Sequence, residues 1–507
     1  MVDTLRALRR SGLLGLRGLR ALLAAFRDEG FNLMALSSLA RRLHPHATAV
    51  RDEREAVSYP QLHSQARILA GRLASACSLG AGSRVAIMTR NHLSQVRALL
   101  ACSALGCDIY LLNDRIGPAQ LETLCQRYGF ALIVHDADRP LDLAGISAMP
   151  AHGEQGDSID RLSRGAETGF RRMRQGRLVV LTSGSGGQPK AAARRPSLSG
   201  FIPPFLYLLK TLRLAEYRSV HIATPLHHGF GLAALCTSIP LGATMHLREH
   251  FDAPAVCALI REQRIEAITL VPLMLARMLE TDAEALRSLK CVMSGGTSIA
   301  PSLVEQCQRQ LGDVLFNLYG SSEAGVCILA TPRDLRLHPD TLGRRIVGAR
   351  LHLIDPSGHP VAPGMDGQLC VRSGWSTGGR GWIETGDRIR RDSQGYCYLR
   401  GRIDDMVISG GENVYPVELE KLLLQHPAVI ETAVIGIDDP EFGQRLCAFV
   451  ALRESHSASA ETLTGWLKSR ATRHQVPKEI RFIDAIPTTA SGKPDKQWLA
   501  RVREATS

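Results

Sequence analysis

Aromatic residues, closely spaced cysteines and long uncharged runs are all scarce in this chain of 507 residues. Phenylalanine, tryptophan and tyrosine make up only 5% of it, which argues against the stacked aromatic surfaces that bind single-stranded nucleic acid. Twelve cysteines are present, but no two follow the C-x-x-C spacing or another metal-ligand pattern. Since no secretory signal peptide is recognisable, we predict a reduced, cytoplasmic protein without a nucleic-acid partner.

The rest of the composition is that of an ordinary globular protein with several structural units. Hydrophobic residues make up 45% of the chain and charged residues 22%. Lysine and arginine number 61 against 49 aspartates and glutamates, a formal net charge of +12. A basic balance suits anionic small molecules, an anionic membrane surface or nucleic acid, and does not choose among them.

One uncharged stretch has the length of a membrane span. Residues 219–247 contain no Asp, Glu, Lys or Arg, and about 20 apolar residues suffice to cross a bilayer. Pro225, Gly231, Pro240 and Gly242 interrupt the stretch. Such interruptions favour a buried strand, turn and helix over a membrane span.

The first 30 residues form a basic segment with helical spacing. On a helical wheel its arginines fall within an arc of about 100°, and most leucines between Leu5 and Leu23 face elsewhere. The arginines are Arg6, Arg9, Arg10, Arg17, Arg20 and Arg27. Such a helix either lies on an anionic membrane or packs on its own domain, and the sequence leaves both alternatives open. The first alternative predicts a peripheral contact at the inner face of the membrane.

Short apolar runs alternate with helical patterns along the first half of the chain. Strands are predicted at residues 85–88, 108–112, 131–134, 178–181, 220–223 and 267–271, and helices at 93–105, 118–128 and 253–263. This alternation predicts an α/β fold with parallel sheets covered on both faces. Ligands in such folds bind beyond the carboxyl ends of strands, so the segments that follow strands are the candidates for a site.

A loop of small residues follows the strand predicted at residues 178–181. It consists of Thr182, Ser183, Gly184, Ser185, Gly186, Gly187, Gln188, Pro189 and Lys190. Small residues let backbone amides close around phosphate oxygens, while hydroxyls and a lysine add donors and charge. The Walker A pattern is absent. A flexible linker is the alternative, but the position directly after a strand favours a phosphate loop.

Other segments carry groups suited to a nucleotide. Tyr319, Ser322 and Glu323 follow an apolar run and offer a ring, a hydroxyl and a carboxylate for Mg²⁺. Residues 294–297 form a similar turn, and residues 385–387 predict a carboxylate, Asp387, on a tight turn suited to ribose hydroxyls. Each segment taken alone is more typical of a plain turn or a solvated side chain than of a binding site.

Two longer motifs lie near the C-terminus. Residues 401–416 (GRIDDMVISGGENVYP) lead into a predicted helix with Pro416 in its first turn. Residues 487–493 (PTTASGK) predict a flexible loop that holds Lys493. Upstream, two histidines, His227 and His228, stand side by side. A satisfied polar turn is the alternative to a functional role for this pair.

These segments, in this order and at these separations, resemble the adenylate-forming superfamily of acyl-CoA synthetases, adenylation domains and firefly luciferase. The resemblance covers the chain from about Ala49 to Leu499. It implies a large N-terminal domain of layered sheets and helices and a small, mobile α+β C-terminal domain. The implied boundaries are a basic N-terminal segment at 1–30, the large AMP-binding domain at 31–403 and the small domain at 404–507, with Asp404 as the hinge.

The resemblance also implies a role for each motif residue. The family joins a carboxylate to the α-phosphate of ATP, releases pyrophosphate, and passes the acyl group to a thiol. Residues 182–190 would hold the ATP phosphates, with Thr182 and Ser183 as hydroxyl donors. Further roles follow by position: Glu323 for Mg²⁺, Ser322 beside the α-phosphate, Gly296, Thr297 and Tyr319 around adenine, Asp387 and Arg402 on the ribose, His228 at the acyl-pocket entrance, and Lys493 between the acyl carboxylate and the α-phosphate. Gly186 and Ser322 replace the threonines usual in the family.

The predicted function is therefore an ATP-dependent acyl-CoA ligase for a fatty or other apolar acid, with ATP, Mg²⁺ and coenzyme A as cofactors. An aryl-acid CoA ligase, or an acyl-AMP ligase that loads a carrier protein, is the alternative within this class. The form of residues 410–416 resembles CoA ligases more than amino-acid adenylation domains, which favours coenzyme A as the acceptor. A non-catalytic protein that binds acyl-adenylates is a third alternative, which the intact motif residues disfavour.

Overall fold

A computed structural model describes most of the chain, and it divides into two compact units. The described residues are 8–9, 11–141, 146–153, 157–166, 169–170, 176–182, 190–194, 198–377, 381–453, 456–489 and 493–505. Unit 1 comprises Met1–Thr269, Ser288–Val292 and Gly374–Gly379, and unit 2 comprises Leu270–Arg287, Met293–Ser373 and Arg380–Ser507. The domain boundaries at residues 30 and 403, which rest on the family resemblance, stay predictions.

Helices and strands alternate through the first half of the chain, and strands dominate the second half. The helices are α1 Leu16–Glu29, α2 Leu33–Leu43, α3 Tyr59–Ala76, α4 Leu93–Ala104, α5 Pro118–Tyr128, α6 Ile159–Ser163, α7 Leu198–Thr211, α8 Gly229–Leu241, α9 Ala253–Gln263, α10 Pro272–Asp282, α11 Pro301–Leu311, α12 Pro332–Leu337, α13 Pro416–Leu423, α14 Ala460–Lys468 and α15 Lys496–Ala505. Two 3₁₀ turns lie at Leu214–Glu216 and Glu284–Ser288.

The strands are named in the same chain order. They are β1 Thr48–Arg51, β2 Ala56–Ser58, β3 Arg84–Met88, β4 Asp108–Leu111, β5 Leu132–His135, β6 Ala148–Pro150, β7 Leu178–Thr182, β8 Lys190–Arg194, β9 Ser219–Ile222, β10 Thr244–His246, β11 Ala267–Leu270, β12 Cys291–Gly295, β13 Leu315–Ser321, β14 Gly325–Ala330, β15 Arg344–Arg345, β16 Ala349–Ile354, β17 Asp366–Ser373, β18 Ile383–Arg391, β19 Cys397–Arg402, β20 Val407–Ser409, β21 Glu412–Val414, β22 Val429–Asp439, β23 Gly443–Leu452 and β24 Glu479–Phe482.

Unit 1 contains the parallel sheets that the sequence predicts. Six strands pair in the order β6-β5-β3-β4-β7-β8, and all pairs but the last are parallel. A second set pairs as β2-β1-β10-β9-β11, in which only the β1–β2 pair is antiparallel. Strands β3, β4 and β5 are almost wholly buried, as expected for parallel strands covered on both faces. The predicted α/β class is therefore confirmed.

The long uncharged stretch is a buried part of unit 1. It forms strand β9, helix α8 and strand β10, as the prolines and glycines within it predict. Gly242 ends α8 with φ of +70°, a left-handed conformation that glycine adopts without steric cost. Among the described residues, no helix has the length and apolar character that crossing a membrane requires.

Unit 2 is built mainly from antiparallel strand pairs. Strands β13, β14 and β15 pair antiparallel, and β16 to β19 form a four-stranded meander in chain order. The last sheet pairs as β21-β20-β23-β22, with β24 parallel to β23. Helices α13 and α14 cover one side of this sheet through Leu419, Leu423, Leu463 and Leu467, all fully buried. Pro416 begins α13, as predicted.

Candidate active site

Tyr319 and Asp387 meet between two strands of unit 2. Tyr319 belongs to β13 and Asp387 to β18, and the tyrosine hydroxyl donates a short hydrogen bond to Oδ2 of the carboxylate. Burial raises the pKa of Tyr319 well above its ordinary value, and the charge of Asp387 raises it further. The hydroxyl therefore keeps its proton and acts as the donor that fixes one carboxylate oxygen.

The segment that carries Asp387 is a bulge inside a strand. Gln368 pairs with Arg388 and Cys370 with Glu384, so residues 385–387 stand opposite Leu369 alone. Gly386 has φ of +74°, and a Cβ there would lie 3.1 Å from Nη2 of Arg402. The prediction of a tight turn at this tripeptide is wrong, because the positive φ of the glycine serves a bulge within β18. The bulge turns the carboxylate towards the next strand.

Arg402 is the cross-strand neighbour of Asp387 on β19. Its Nη1 lies 3.3 Å from Oδ1 of Asp387, and its Nη2 lies 3.4 Å from Oδ2 of Asp404. One guanidinium thus holds both the carboxylate predicted to bind ribose and the carboxylate predicted as the hinge. The motif that begins at Gly401 is placed beside Asp387 by strand register, which its sequence spacing does not reveal.

Both carboxylate oxygens of Asp387 accept hydrogen bonds, but these bonds do not fully offset the cost of burying its charge. Burial has the largest effect and raises the pKa of this carboxyl, and Asp405 raises it further. The Tyr319 hydrogen bond and the charges of Arg402 and Lys493 lower it without cancelling the effect of burial. A buried carboxylate in this condition is stabilised by further hydrogen-bond donors, and two sugar hydroxyls are donors of the right kind.

Lys493 lies in the same cluster, although it is far away in the sequence. Its carbonyl accepts from the amide of Thr489 at 2.7 Å, and Thr488 pairs with Pro494; residues 490–492 of this motif lie outside the described residues. Solvent still reaches the lysine, yet the protein around it removes part of its hydration and lowers the pKa of the ammonium. Arg402 lowers this pKa further, while three carboxylates raise it: Asp387, Asp405 and Glu323.

Two charged residues of this cluster, Asp405 and Lys496, are not predicted as site residues from the sequence. Asp405 acts on the charges of both Lys493 and Asp387. Lys496 places its Nζ 3.2 Å from Oδ2 of Asp405 and 3.6 Å from Oε1 of Glu420. Their positions in the sequence could have indicated this, because Asp405 follows the predicted hinge residue and Lys496 lies three residues after Lys493.

Glu323 and Ser322 lie in the tight connection between β13 and β14. Ser321 pairs with Gly325 across this connection, and the amide of Ala324 donates to Oγ of Ser321 at 3.0 Å. Within the part of the chain that the structure describes, no three His, Cys, Asp or Glu side chains are grouped to hold a metal. A single carboxylate nevertheless fits Mg²⁺, which proteins hold with one or two carboxylates together with substrate phosphates. Glu323 therefore has the chemistry of a magnesium ligand, and its role stays a prediction.

The other residues predicted to bind adenine and the phosphates lie in chain segments that adjoin other strands. Gly296 and Thr297 follow the end of β12, and Gly296 has φ of +87°. In unit 1, Thr182 pairs with Lys190 across the β7–β8 ladder. The phosphate-loop residues Ser183, Gly184, Ser185, Gly186 and Gly187 lie outside the described residues. The β7–β8 pairing brings the two ends of this loop together.

His228 immediately precedes helix α8 in unit 1. Its carbonyl accepts the first helical hydrogen bond, from Leu232, at 3.0 Å, and its ring lies 4.4 Å from the ring of His227. Burial lowers the pKa of His227 to about 4, so that ring is neutral near pH 7. The two histidines therefore do not both supply positive charge.

Comparison with known proteins identifies a family across both parts of the chain. A model of the AMP-binding enzyme family matches residues 39–379, and a model of the AMP-binding enzyme C-terminal domain matches residues 418–493. These matches agree with the predicted large N-terminal and small C-terminal domains. The first match spans the motif residues from Thr182 to Glu323, and the second ends at Lys493.

Individual relatives and a solved structure give the same result. The feruloyl-CoA synthase of Amycolatopsis sp. is 31% identical over 481 residues, which cover 89% of this chain and 95% of the relative. A medium/long-chain fatty-acid–CoA ligase of Mycobacterium tuberculosis is 32% identical over 349 residues, 63% of this chain and 60% of the relative.

The o-succinylbenzoate CoA synthetase of Bacillus subtilis, in complex with its acyl-adenylate intermediate, is 25% identical, with a TM-score of 0.79 and coverage of 92% of this chain and 97% of that chain. Another structure of that synthetase is in complex with ATP and magnesium.

Proposed function

Because the chain belongs to the family of AMP-binding enzymes, we propose that it activates an aromatic carboxylic acid as its acyl-adenylate and transfers the acyl group to coenzyme A. The chain is an enzyme of the AMP-forming acid–thiol ligase class, which uses ATP, Mg²⁺ and coenzyme A. The aromatic nature of the acid and the roles of the individual residues are proposed.

The observation that carries the proposal is the position of Lys493 in unit 2. Its ammonium interacts electrostatically with Glu323, Asp387 and Arg402, which come from three other segments of the chain. A lysine on a surface loop has no structural need for such neighbours. A reaction between two anions, a carboxylate and a polyphosphate, does need a cation at this position.

In the first step, a carboxylate oxygen of the acid attacks the α-phosphorus of ATP. An oxygen–phosphorus bond forms, and the bond to the bridging oxygen breaks as pyrophosphate leaves with the electron pair. Lys493 would donate hydrogen bonds to the acid and the α-phosphate, which lowers their repulsion. Mg²⁺, held by Glu323, would neutralise charge on the phosphates.

Other side chains would bind and orient the nucleotide. Asp387 would accept hydrogen bonds from the ribose hydroxyls while Tyr319 and Arg402 hold the carboxylate in place. Gly296, Thr297 and Tyr319 would frame the adenine, and residues 182–190 would bind the phosphates through their amides and hydroxyls.

The second step transfers the acyl group. The thiol sulfur of coenzyme A attacks the acyl carbon, the bond to the phosphate oxygen breaks, and AMP leaves while the thiol proton is lost to solvent. Lys493 would not be needed once the acid no longer carries a charge. His228 would stand at the entrance of the acyl pocket.

The relatives favour an aromatic acid over the fatty acid that the sequence alone suggested. The feruloyl-CoA synthase and the o-succinylbenzoate synthetase each match about nine-tenths of this chain, and both names denote aromatic acids. The fatty-acid ligase matches 63% of it. A fatty acid therefore remains the second candidate, and the substrate panel must contain both kinds of acid.

Coenzyme A is the proposed acceptor, because the relatives named above are CoA ligases. A carrier protein with a phosphopantetheine thiol is the alternative acceptor. A cytoplasmic location and a peripheral membrane contact through the first 30 residues also belong to the proposal.

A pyrophosphate-release assay tests the proposal. The panel contains hydroxycinnamic, benzoic and indoleacetic acids together with medium- and long-chain fatty acids, each with and without coenzyme A. We expect acid-dependent release that is fastest with an aromatic acid, and thioester formation only when coenzyme A is present. Release with fatty acids alone would make a fatty acid the substrate, and release with none of these acids would overturn the proposed substrate class.

A further inference from the structure

Helix α1 carries three faces of different chemistry. At about 100° per residue, Gly18, Ala21 and Ala25 share one face, and all three are buried. Leu16, Leu19 and Leu23 share the opposite face, and their exposed fractions are 74%, 53% and 61%. Arginine side chains lie beside the leucines. The sequence left open whether this helix packs on its domain or faces a membrane, and the described faces are compatible with both.

Small residues attach the helix to unit 1. Ala21 and Ala25 pack against Leu39 of α2, together with Leu22 and Leu43. Gly18 is required at its position, because a Cβ there would lie 2.4 Å from the carbonyl oxygen of Gly12. The helix is therefore held through its small face, and the exposed leucines contribute nothing to that contact. We call Leu16, Leu19 and Leu23 the leucine stripe.

Positive charge flanks the leucine stripe. Arg20 and Arg27 are exposed on the adjoining side of α1, and Arg17 is exposed one position after Leu16. Of the other predicted arginines, Arg9 is exposed, while Arg6 and Arg10 lie outside the described residues. An apolar stripe bordered by arginines is the composition of helices that lie in the interface of an anionic bilayer.

A basic cavity of about 470 Å³ adjoins the same helix. Arg17 lines it together with His44, His46 and Arg218, and none of its lining residues is acidic. Arg17 also donates to the carbonyl of Arg42 at 3.4 Å, next to the segment that forms the cavity wall. Arg17 thus belongs both to the exposed side of the helix and to the cavity.

His44 has an unsatisfied polar atom at this cavity. Among the described residues, none forms a hydrogen bond with its buried Nε2. The ring packs tightly on Gly242, where a Cβ would approach it to 2.3 Å. Burial lowers the pKa of His44, a hydrogen bond to the backbone of Pro240 opposes this, and Arg218 and Arg17 lower it further. The positive charge of both arginines is therefore felt inside the cavity.

We propose that the cavity lined by Arg17, His44, His46 and Arg218 binds the phosphate headgroup of an anionic phospholipid while the leucine stripe inserts among the acyl chains. The two arginines would bind the phosphodiester oxygens. The anion would favour protonated His44, whose Nε2 would then become a donor. This inference rests on the proposed membrane contact and is independent of the ligase chemistry.

An anionic bilayer explains the surface better than a second copy of the chain does. Two copies joined through the leucine stripe by a two-fold axis would bring the same arginines together, and each chain already carries a net charge of +12. Self-association therefore brings like charges together, whereas an anionic bilayer offers opposite charge to the arginines and apolar volume to the leucines.

Vesicle co-sedimentation of the full chain tests the proposal. Vesicles of phosphatidylcholine alone are compared with vesicles of phosphatidylcholine and phosphatidylglycerol at 3:1. Because a basic residue near an anionic surface contributes roughly fivefold in affinity, Arg17→Gln with Arg218→Gln is expected to lose about 25-fold on the anionic vesicles. Arg309→Gln with Arg333→Gln, two exposed arginines elsewhere, removes the same charge and serves as the control.

The leucine stripe is tested separately. Leu16→Ser, Leu19→Ser and Leu23→Ser together are expected to lose more than tenfold in vesicle affinity with an unchanged melting midpoint, since the side chains are exposed. The control replaces Leu337, Val347 and Met365 by serine. The exposed fractions of these three side chains, 61%, 54% and 61%, are similar to those of the leucine stripe. Loss of a dimer in sedimentation, without any change in vesicle affinity, would overturn the proposal in favour of a second copy.

Three further outcomes separate the parts of the proposal. Vesicle binding that needs the leucine stripe but not Arg17 and Arg218 would overturn the headgroup site and leave the membrane contact standing. Binding of glycerol phosphate that depends on the two arginines, with vesicle binding unaffected, would make the cavity a site for free phosphates. Absence of binding to any vesicle would overturn both, and the pyrophosphate assay would still report the ligase independently.

Discussion

At the scale of single residues, the candidate site consists of positive and negative side chains that partly neutralise one another. Lys493 faces three carboxylates and one guanidinium, and Asp387 is held by Tyr319 and Arg402 on opposite oxygens. Each group fixes the charge or the position of another. Single substitutions here should therefore change particular steps of catalysis and leave the fold intact.

Replacing Lys493 by alanine should abolish most acyl-adenylate formation. One charge-assisted donor lost from a site where charge develops costs about 3–4 kcal/mol, or 10²–10³ in rate. Single-turnover measurement of acyl-AMP gives the first step directly. Thioester formation from supplied acyl-AMP and coenzyme A should persist, because no carboxylate charge remains to be neutralised.

Lys468→Ala is the matched control for that experiment. Lys468 is an exposed lysine at the end of α14 in the same C-terminal part of the chain, and its loss should leave both half-reactions unchanged. A Lys493→Ala enzyme with an ordinary adenylation rate would contradict the role assigned to this lysine.

Replacing Tyr319 by phenylalanine should weaken nucleotide binding more than it slows the chemistry. The hydroxyl donates to Asp387, and a hydrogen bond to a charged group is worth about 1.5–3 kcal/mol. We expect the KM for ATP to rise about tenfold while kcat falls little. Tyr398→Phe, whose hydroxyl contacts His338 and Asp392 instead, is the control; a pure loss of kcat would refute the positioning role.

The sequence identified these residues, but it could not give the contacts between them. Tyr319, Asp387, Arg402 and Lys493 were found because short motifs resemble a family, one motif at a time. The hydrogen bond from Tyr319 to Asp387 joins residues 68 positions apart. Such a contact depends on how whole strands pair, and no local pattern specifies that pairing.

At the scale of elements, periodicity predicted the buried strands and helices well. Helices at 118–128 and 253–263 have the predicted bounds, since Gly129 in the left-handed region ends the first and Asp252 caps the start of the second. The residues at 385–387 were misjudged as a turn. Glycine marks turns and bulges alike, and only the partner strand shows which one is present.

A rigid residue at position 404 should separate the two half-reactions. Asp404 lies between β19 and β20, where Arg402 contacts its carboxylate at 3.4 Å. Asp404→Pro fixes φ near −65°, so a hinge could no longer change conformation. We expect acyl-AMP formation to survive and thioester formation to fall by orders of magnitude, as measured in separate single-turnover assays.

Asp404→Ala controls for the lost carboxylate, because it removes the contact with Arg402 and leaves the backbone free to rotate. This variant should retain both steps nearly intact. Equal losses of both steps in the proline variant would indicate damage to the fold and would argue against a hinge at this residue.

An ionic network between two elements of unit 1 should give the fold a pH dependence. Asp136, just after β5, accepts from Nε2 of His92 at 2.8 Å and from Nε of Arg90 at 2.9 Å. Burial alone would raise the pKa of this carboxyl, but the hydrogen bond and charge of His92, together with Arg90, lower it to about 2. Its ionised form is therefore favoured in the folded protein by about 2 kcal/mol.

Because the folded pKa is depressed, this contribution is complete above pH 4 and is lost as the pH falls towards 2. Asp136→Asn should therefore lower the melting midpoint at pH 7 and pH 5, and the difference from the parent should shrink by pH 3. Asp138→Asn is the control, since that carboxylate contacts the same Arg90 but is 59% exposed, where ion pairs contribute little. A difference independent of pH would refute the assignment to ionisation.

At the scale of the whole molecule, composition and alternation gave the fold class, and the motifs gave the family. What they did not give is the antiparallel construction of unit 2. Its strands β16 to β19 pair with their neighbours in the chain, but their alternating burial, as in β16, is a weaker signal than the continuous apolar runs of unit 1. The sequence also places leucines and arginines at helical spacing in the N-terminal segment, but it does not show which leucines are buried.

Deleting residues 1–27 should therefore have two consequences that the leucine-stripe variant separates. The deletion removes Ala21 and Ala25 from their contact with Leu39, so unit 1 should melt about 5–10 °C lower. It also removes the leucine stripe, so binding to anionic vesicles should fall. Turnover of a soluble short acid at 25 °C should stay intact, because none of the candidate active-site residues lies in the deleted segment. An unchanged melting midpoint after the deletion would show that the packing of Ala21 and Ala25 on unit 1 contributes nothing to stability. An unchanged vesicle affinity would show that the helix only packs on its own unit and does not bind the membrane.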